Sequence, residues 1–120
     1  MHLLYGNHCQ WFRKEVYNNQ ELSDKFLWIG DYLEIFYGNR LVVMGHYPVA
    51  SWNEMGHGSY MLHSHSHGAY VPGKPETKDQ GKILDVGWDV FNRPITMYEV
   101  SDIMDSKKFV QVDHHNPKTT

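Results

Sequence analysis

The stretch DYLEIFYGNRLVVMGHY, residues 31–47, decides the class of fold. From Tyr32 to Tyr37 successive side chains alternate between the two faces of an extended chain. Gly38 and Asn39 then form a two-residue turn signal, and the apolar run LVVM follows them. The stretch therefore predicts a β-hairpin, so the fold contains antiparallel strands.

Short elements flank this hairpin on both sides. Upstream, HLLY at residues 2–5 predicts a strand, residues 10–18 carry a weak helical pattern, and residues 19–30 are interpreted as a loop. Downstream, a loop rich in Gly, Pro, Ser and Asn leads to a predicted strand, SYMLHS, at residues 59–64. KILDVGWDV, residues 82–90, predicts a further strand that a glycine interrupts.

The C-terminal third predicts one clear helix. Thr96 and Glu99 have the T-x-x-E spacing of a capping box ahead of apolar positions, which indicates a helix of about ten residues. FVQV at 109–112 predicts a last strand, VPGKPETKDQGK at 71–82 a flexible loop, and residues 113–120 a frayed tail. We therefore predict one α+β domain, residues 1–120, built mostly of strands and hairpins with this single clear helix.

Composition limits the classes of function. The chain has 120 residues, 41% of them hydrophobic, and no apolar run of the roughly 18 residues that span a bilayer, so we expect a soluble protein with no membrane partner. One cysteine, Cys9, excludes an internal disulfide framework and favours the reducing cytoplasm. The net charge is −3 and basic residues are scattered, which disfavours a groove for nucleic acid but leaves small phosphate substrates open.

Histidine is unusually abundant, with nine residues in the chain. In YMLHSHSHGAY, residues 60–70, His63, His65 and His67 occupy alternate positions, so an extended chain would aim all three imidazoles at one face. Two other polar groups also follow predicted strands, in the motifs Gly6-Asn7-His8 and Gly45-His46. Imidazole nitrogens bind Zn, Mn, Fe or Ni, and an asparagine oxygen can complete such a shell. A solvated or core hydrogen-bonding role remains the alternative for each histidine.

Taken together, the motifs resemble a known family. GNHC at 6–9, GHYPVASW at 45–52 and SHSHG at 64–68 occur in this order, with LDVGWDVFNRP following at 84–94. They resemble the calcineurin-like metallophosphoesterases, in particular the short single-domain kind carried by bacteria and phages, over nearly the whole chain. The resemblance implies the C-terminal part of an α/β/β/α sandwich and a phosphodiesterase or phosphatase, located in the cytoplasm, including that of a host cell.

The resemblance also implies a role for each candidate residue. Asn7, His46 and His65 would ligate the second metal of a binuclear centre, and His67 would ligate the first. His8 would act near the leaving-group oxygen of a phosphoester substrate as proton donor or charge stabiliser. Divalent ions such as Mn, Zn, Fe or Ni are the implied cofactors, two in a completed site and one otherwise. For Asp89 and Arg93, a salt bridge or a supporting contact to a ligand is as good an interpretation as contact with the substrate.

The chain departs from the family pattern in three ways. The D-x-H and G-D-x-x-D motifs, which supply the other ligands before GNH, do not occur in these 120 residues. Cys9 stands where an acid is expected, and Ser64 replaces the glycine of G-H-x-H. We therefore expect a C-terminal subunit or fragment of a split enzyme, with an N-terminal partner chain or self-association covering the exposed sheet edge.

Three other interpretations remain open at this point. The chain would be a catalytically inactive metal-binding or protein-interaction module, a truncated product with little activity, or a different histidine-rich metalloprotein such as a cupin-like barrel. The last needs a glutamate and a histidine on later strands, and Glu76 in a predicted loop does not meet that need.

Overall fold

The computed structural model describes residues 1–67 and 81–108 and confirms the α+β class. The strands are β1 (His2–Leu4), β2 (Trp28–Gly30), β3 (Tyr32–Tyr37), β4 (Arg40–Gly45), β5 (Tyr60–His63) and β6 (Ile83–Asp85). The helices are α1 (Gln10–Asn18), α2 (Gln20–Ser23), α3 (Trp88–Phe91) and α4 (Met97–Asp105), and a 3₁₀ turn covers Met55–His57.

The strands form two sheets. β1 and β2 pair in parallel, with Leu3 opposite Ile29. The larger sheet has the order β3-β4-β5-β6, in which β3 and β4 form the predicted antiparallel hairpin and β4, β5 and β6 run parallel. Because parallel strands end at the same edge of a sheet, the loops after β4, β5 and β6 meet there. This parallel order does not fit the antiparallel barrel of a cupin.

Both faces of the parallel strands are buried. The apolar run of β4 therefore does not alternate with polar residues, as is typical of strands covered on two sides. One face packs on α4 and the other on the segment that follows β4. The first cluster is Val42, Tyr60, Leu62, Val100 and Met104; the second is Val43, Trp52, Met55, Met61 and Ile83.

The predicted capping box of α4 is present. The Thr96 hydroxyl accepts the Glu99 backbone N–H at 3.2 Å, and the Thr96 backbone N–H donates to the Glu99 carboxylate in return. Arg93 donates to both carboxylate oxygens of Glu99, and this contact with Arg93 lowers the pKa of Glu99 to about 2. Arg93 thus forms an ion pair that fixes the start of the helix. A salt bridge was one of the two roles expected for Arg93.

The loop predicted for residues 19–30 is wrong. It contains α2, whose N-terminus is capped by the Asn19 side chain accepting the Leu22 backbone N–H at 3.1 Å, and the strand β2. Strand β2 has three residues, too few for an alternation pattern, and it is stabilised by pairing with β1. The described residues consequently contain more helix than the single clear one predicted.

The strand predicted over residues 82–90 is correct only as far as Asp85. The Asp85 carboxylate accepts the backbone N–H of Gly87 at 2.9 Å and turns the chain, after which α3 begins at Trp88. A Cβ at Gly87 would lie 2.9 Å from both Asp85 Oδ1 and Ser64 Oγ, so a larger residue there would displace one of these side chains. The glycine marks the end of the strand rather than an interruption.

The predicted strand at 109–112, the predicted tail at 113–120 and nearly all of the predicted loop at 71–82 lie outside the described residues. Within the described ranges, no helix has the length and apolar character needed to cross a bilayer.

Candidate metal centre

The carboxyl ends of three strands build the candidate site. Asn7 follows β1, His46 follows β4 directly, and His65 follows β5. The Ser64 backbone N–H donates to the His46 carbonyl oxygen at 3.0 Å, which holds the ends of β4 and β5 together. Residues far apart in sequence are therefore brought to one edge of the fold.

Three atoms converge at this edge. His46 Nε2 lies 2.7 Å from Asn7 Oδ1 and 3.2 Å from His65 Nδ1, and His65 Nδ1 lies 3.3 Å from Asn7 Oδ1. The structure thus brings together the three residues that the resemblance assigns to one metal.

Two of the three separations, 3.2 and 3.3 Å, fit the spacing of ligands on a shared metal ion, and the third, 2.7 Å, is that of a hydrogen bond. Ligands about 2.0–2.2 Å from a metal lie about 3.0–3.5 Å apart at octahedral or tetrahedral angles. Hydrogen bonding accounts for both contacts to Asn7, because an amide oxygen has two lone pairs and can accept from two imidazole N–H groups. The 3.2 Å contact between the two ring nitrogens is the one that a shared ion explains better, because both nitrogens would then be donors. Within residues 1–67 and 81–108, no group of three or more His, Cys, Asp or Glu is arranged to hold a metal, and the set described here has two histidines and an asparagine.

The imidazole of His46 is held in place by its surroundings. Its ring makes an edge contact with Tyr47 at 5.1 Å and with His65 at 5.0 Å, and Tyr47 also contacts His65 at 4.6 Å between ring centroids. Burial lowers the pKa of His46, and the neighbouring His65 and His8 lower it further. The neutral imidazole, which is the form that binds metals, is therefore favoured.

Gly6 packs closely against the imidazole of His46. A Cβ added at Gly6 would lie 3.0 Å from two atoms of the His46 ring. The glycine of the GNH motif is therefore explained by close approach of the β1 loop to His46. The sequence analysis assigned no role to Gly6 or to Tyr47. The position of Gly6 in the Gly-Asn-His motif could have indicated its importance, whereas only its place next to His46 pointed to Tyr47.

Replacing Gly6 with alanine should displace the His46 ring by a few tenths of an ångström and lower metal affinity about tenfold, the lower end of the effect of losing a group that orients a ligand. Equilibrium dialysis with Zn²⁺ or Mn²⁺ measures this. Gly45→Ala is a matched control, because a Cβ at Gly45, the residue before His46, meets only ordinary contacts at 3.8 Å and beyond. Equal affinities of the two variants would contradict the assigned role of Gly6.

The backbone after β5 leaves the extended conformation. His65 and His67 have φ angles of 65° and 51°, in the left-handed region that side chains other than glycine adopt at a cost. His63, in contrast, ends β5, is only 4% exposed, and its Nδ1 lies 2.8 Å from the Ser64 carbonyl oxygen. The three histidines therefore do not share one extended face, and His63 belongs to the core. Strained residues of this kind cluster at functional sites.

His67 is paired with Asp89 rather than with the converging atoms. Its Nδ1 contacts the Asp89 carboxylate, which lies in the first turn of α3. A carboxylate on one ring nitrogen of histidine fixes the ring and raises the basicity of the other nitrogen, as in many metal sites. Asp89 thus supports His67, the role considered for it above.

His8 and Cys9 complete the loop after β1. His8 is exposed and lies close enough to His46 to act on it electrostatically, so it lies near the site. The Gly6 backbone N–H donates to Cys9 Sγ at 3.2 Å, and Cys9 is the residue before α1. The thiol stabilises the turn that presents Asn7 and His8.

Comparison with models of known protein families found no match, and neither did comparisons with curated proteins or with solved structures.

Proposed function

We propose that the chain is the C-terminal part of a metal-dependent phosphoester hydrolase, a phosphodiesterase or phosphatase of the cytoplasm. The observation that carries the proposal is the convergence of Asn7 Oδ1, His46 Nε2 and His65 Nδ1 within 2.7–3.3 Å of one another. Three short motifs supply one atom each, although Asn7 and His46 are 39 positions apart in the sequence and His46 and His65 are 19 apart.

The residues of the site divide into ligands and groups that serve them. Asn7, His46 and His65 would hold one divalent ion, and His67, oriented by Asp89, would ligate a second. When bound, such ions polarise phosphoryl oxygens and lower the pKa of a water molecule. His8, exposed beside His46, would donate a proton to the leaving-group oxygen.

The missing ligands would come from a partner chain. Two imidazoles and an amide oxygen are neutral, so a divalent ion held by them alone keeps its full charge, and carboxylates would balance it. The D-x-H and G-D-x-x-D motifs of the family that the sequence resembles carry such carboxylates. Among the described strands β1 pairs only with β2, so its other edge is open to a strand of an N-terminal partner.

The test is to purify the chain alone and together with the polypeptide encoded immediately upstream. We expect hydrolysis of bis(p-nitrophenyl) phosphate in the presence of Mn²⁺ only when both chains are present, with about two metal ions per complex. The complex with His8→Ala should keep both ions and lose most of its activity. Absence of hydrolysis in both preparations, with at most one ion per chain, would reject the enzyme.

That last outcome would favour the second candidate, an inactive metal-binding or interaction module. The observation in its favour is that Asn7, His46 and His65 converge without His67, so one ion could be held by these three residues alone.

A further inference from the structure

The strand β3 has an open edge. Among the described strands it pairs with β4 alone and lies at the end of the larger sheet. Its outward N–H and C=O groups can therefore accept another strand. The strand also exposes apolar side chains on both of its faces: Tyr32 is 51% exposed, Ile35 37%, Phe36 73% and Tyr37 40%.

The usual protections of an edge strand are missing here. Proteins block open edges with lysine, proline, a bulge or an inward-pointing charge. The sequence of β3, YLEIFY, has no lysine or proline, and it pairs with β4 residue by residue without a bulge. Its one charged residue, Glu34, accepts hydrogen bonds from the Tyr32 hydroxyl at 2.5 Å and from Asn53 at 2.7 Å. The carboxylate is thus satisfied within the chain and does not need solvent along the edge.

We propose that β3 pairs with β3 of a second copy of this chain, antiparallel and with Ile35 on the two-fold axis. In a symmetric antiparallel pair, residues that face each other lie on the same side of the joined sheet. The longest symmetric registers are therefore centred on Glu34 or on Ile35. The first sets two carboxylates directly opposite each other, which destabilises a pair of strands.

The register centred on Ile35 is complementary. Ile35 meets Ile35 of the second copy, and Leu33 meets its Tyr37, so one side of the joined strands is entirely apolar. On the other side Glu34 lies opposite Phe36, and the two carboxylates are kept apart. A partner of other chemistry finds no unpaired charge on this strand, whereas a second copy matches it residue by residue. The contact is smaller than the roughly 800 Å² per partner of a standard interface, so we expect a reversible dimer.

Engineered cysteines test the register. In a Cys9→Ser background, Ile35→Cys places two thiols on directly opposite residues, whose Cα atoms are about 4.5–5.5 Å apart, within the range of a disulfide. Phe36→Cys is the matched control: it is the next residue and more exposed, but its two Cα atoms would lie about 8 Å apart, too far for a disulfide without movement of the backbone. We expect mild oxidation to cross-link Ile35→Cys at least tenfold faster.

Sedimentation of the unmodified chain over a range of concentrations gives an independent measurement. We expect a reversible dimer whose dissociation constant rises at least tenfold in Ile35→Lys, while Tyr17→Lys, on an exposed position of α1, leaves it unchanged. A chain that stays monomeric at several hundred micromolar, or equal cross-linking of the two cysteine variants, would overturn the proposal. Both measurements are independent of metal binding and of hydrolysis.

Discussion

Replacing His46 with alanine should lower the affinity for Zn²⁺ or Mn²⁺ by at least about 100-fold and abolish hydrolysis by the two-chain complex. Loss of a group that merely orients a ligand costs about 10–100-fold in affinity, and removal of the ligand itself costs more. His46 Nε2 is the nearest neighbour of Asn7 Oδ1, at 2.7 Å, so its loss leaves a pair of atoms instead of a triangle. His65→Ala should have the same effect for the same reason.

Metal content after dialysis, measured by inductively coupled plasma mass spectrometry, reports this loss directly. His57→Ala is the control, because His57 is a histidine of the same loop-rich region whose side chain is 79% exposed and lies 4.0 Å from Glu54. We expect it to keep the metal content of the unmodified chain. If His46→Ala and His57→Ala retained equal metal, the converging triangle would not be a metal centre.

The sequence predicted the parts of the fold that carry local signals. The alternation from Tyr32 to Tyr37 with its Gly-Asn turn, and the Thr96 and Glu99 capping box, are decided by side chains within a few residues of one another. Strand β2 and the end of β6 were missed. Strand β2 exists because β1 pairs with it, and β6 ends because one carboxylate bonds the backbone two residues further on. Neither contact leaves a periodic pattern in the sequence.

The candidate site was predicted as a set of residues but not as a geometry. The order of the motifs placed Asn7, His46 and His65 together, and the structure brings their atoms within 3.3 Å of each other. An extended chain would aim His63, His65 and His67 at one face, but His65 and His67 have positive φ angles and only His63 continues the strand. The pairing of His67 with Asp89 depends on the turn at Gly87, which the sequence showed only as a break.

Replacing Met104 with alanine should destabilise the chain by about 2–5 kcal/mol, a large part of the roughly 5–15 kcal/mol of a typical domain. Met104 is 0% exposed and belongs to the cluster that joins α4 to β4 and β5 through Val42, Tyr60 and Leu62. The substitution leaves a cavity that the sheet, covered on its other face as well, cannot close easily. Urea denaturation followed by circular dichroism measures the loss.

Two control variants in the same helix test whether the loss of stability depends on how deeply the side chain is buried. Met97→Ala, in the same helix at a partly buried position, should cost less, and Tyr98→Ala, 79% exposed, should stay within about 0.5 kcal/mol of the unmodified chain. A cost for Met104→Ala no larger than that for Tyr98→Ala would show that α4 does not pack on the sheet. Because a ligand that binds only the folded state stabilises it, added metal should raise the melting temperature of Met104→Ala but not that of His46→Ala. The two substitutions thereby distinguish the contribution of the core to stability from the contribution of the strand-end residues to metal binding.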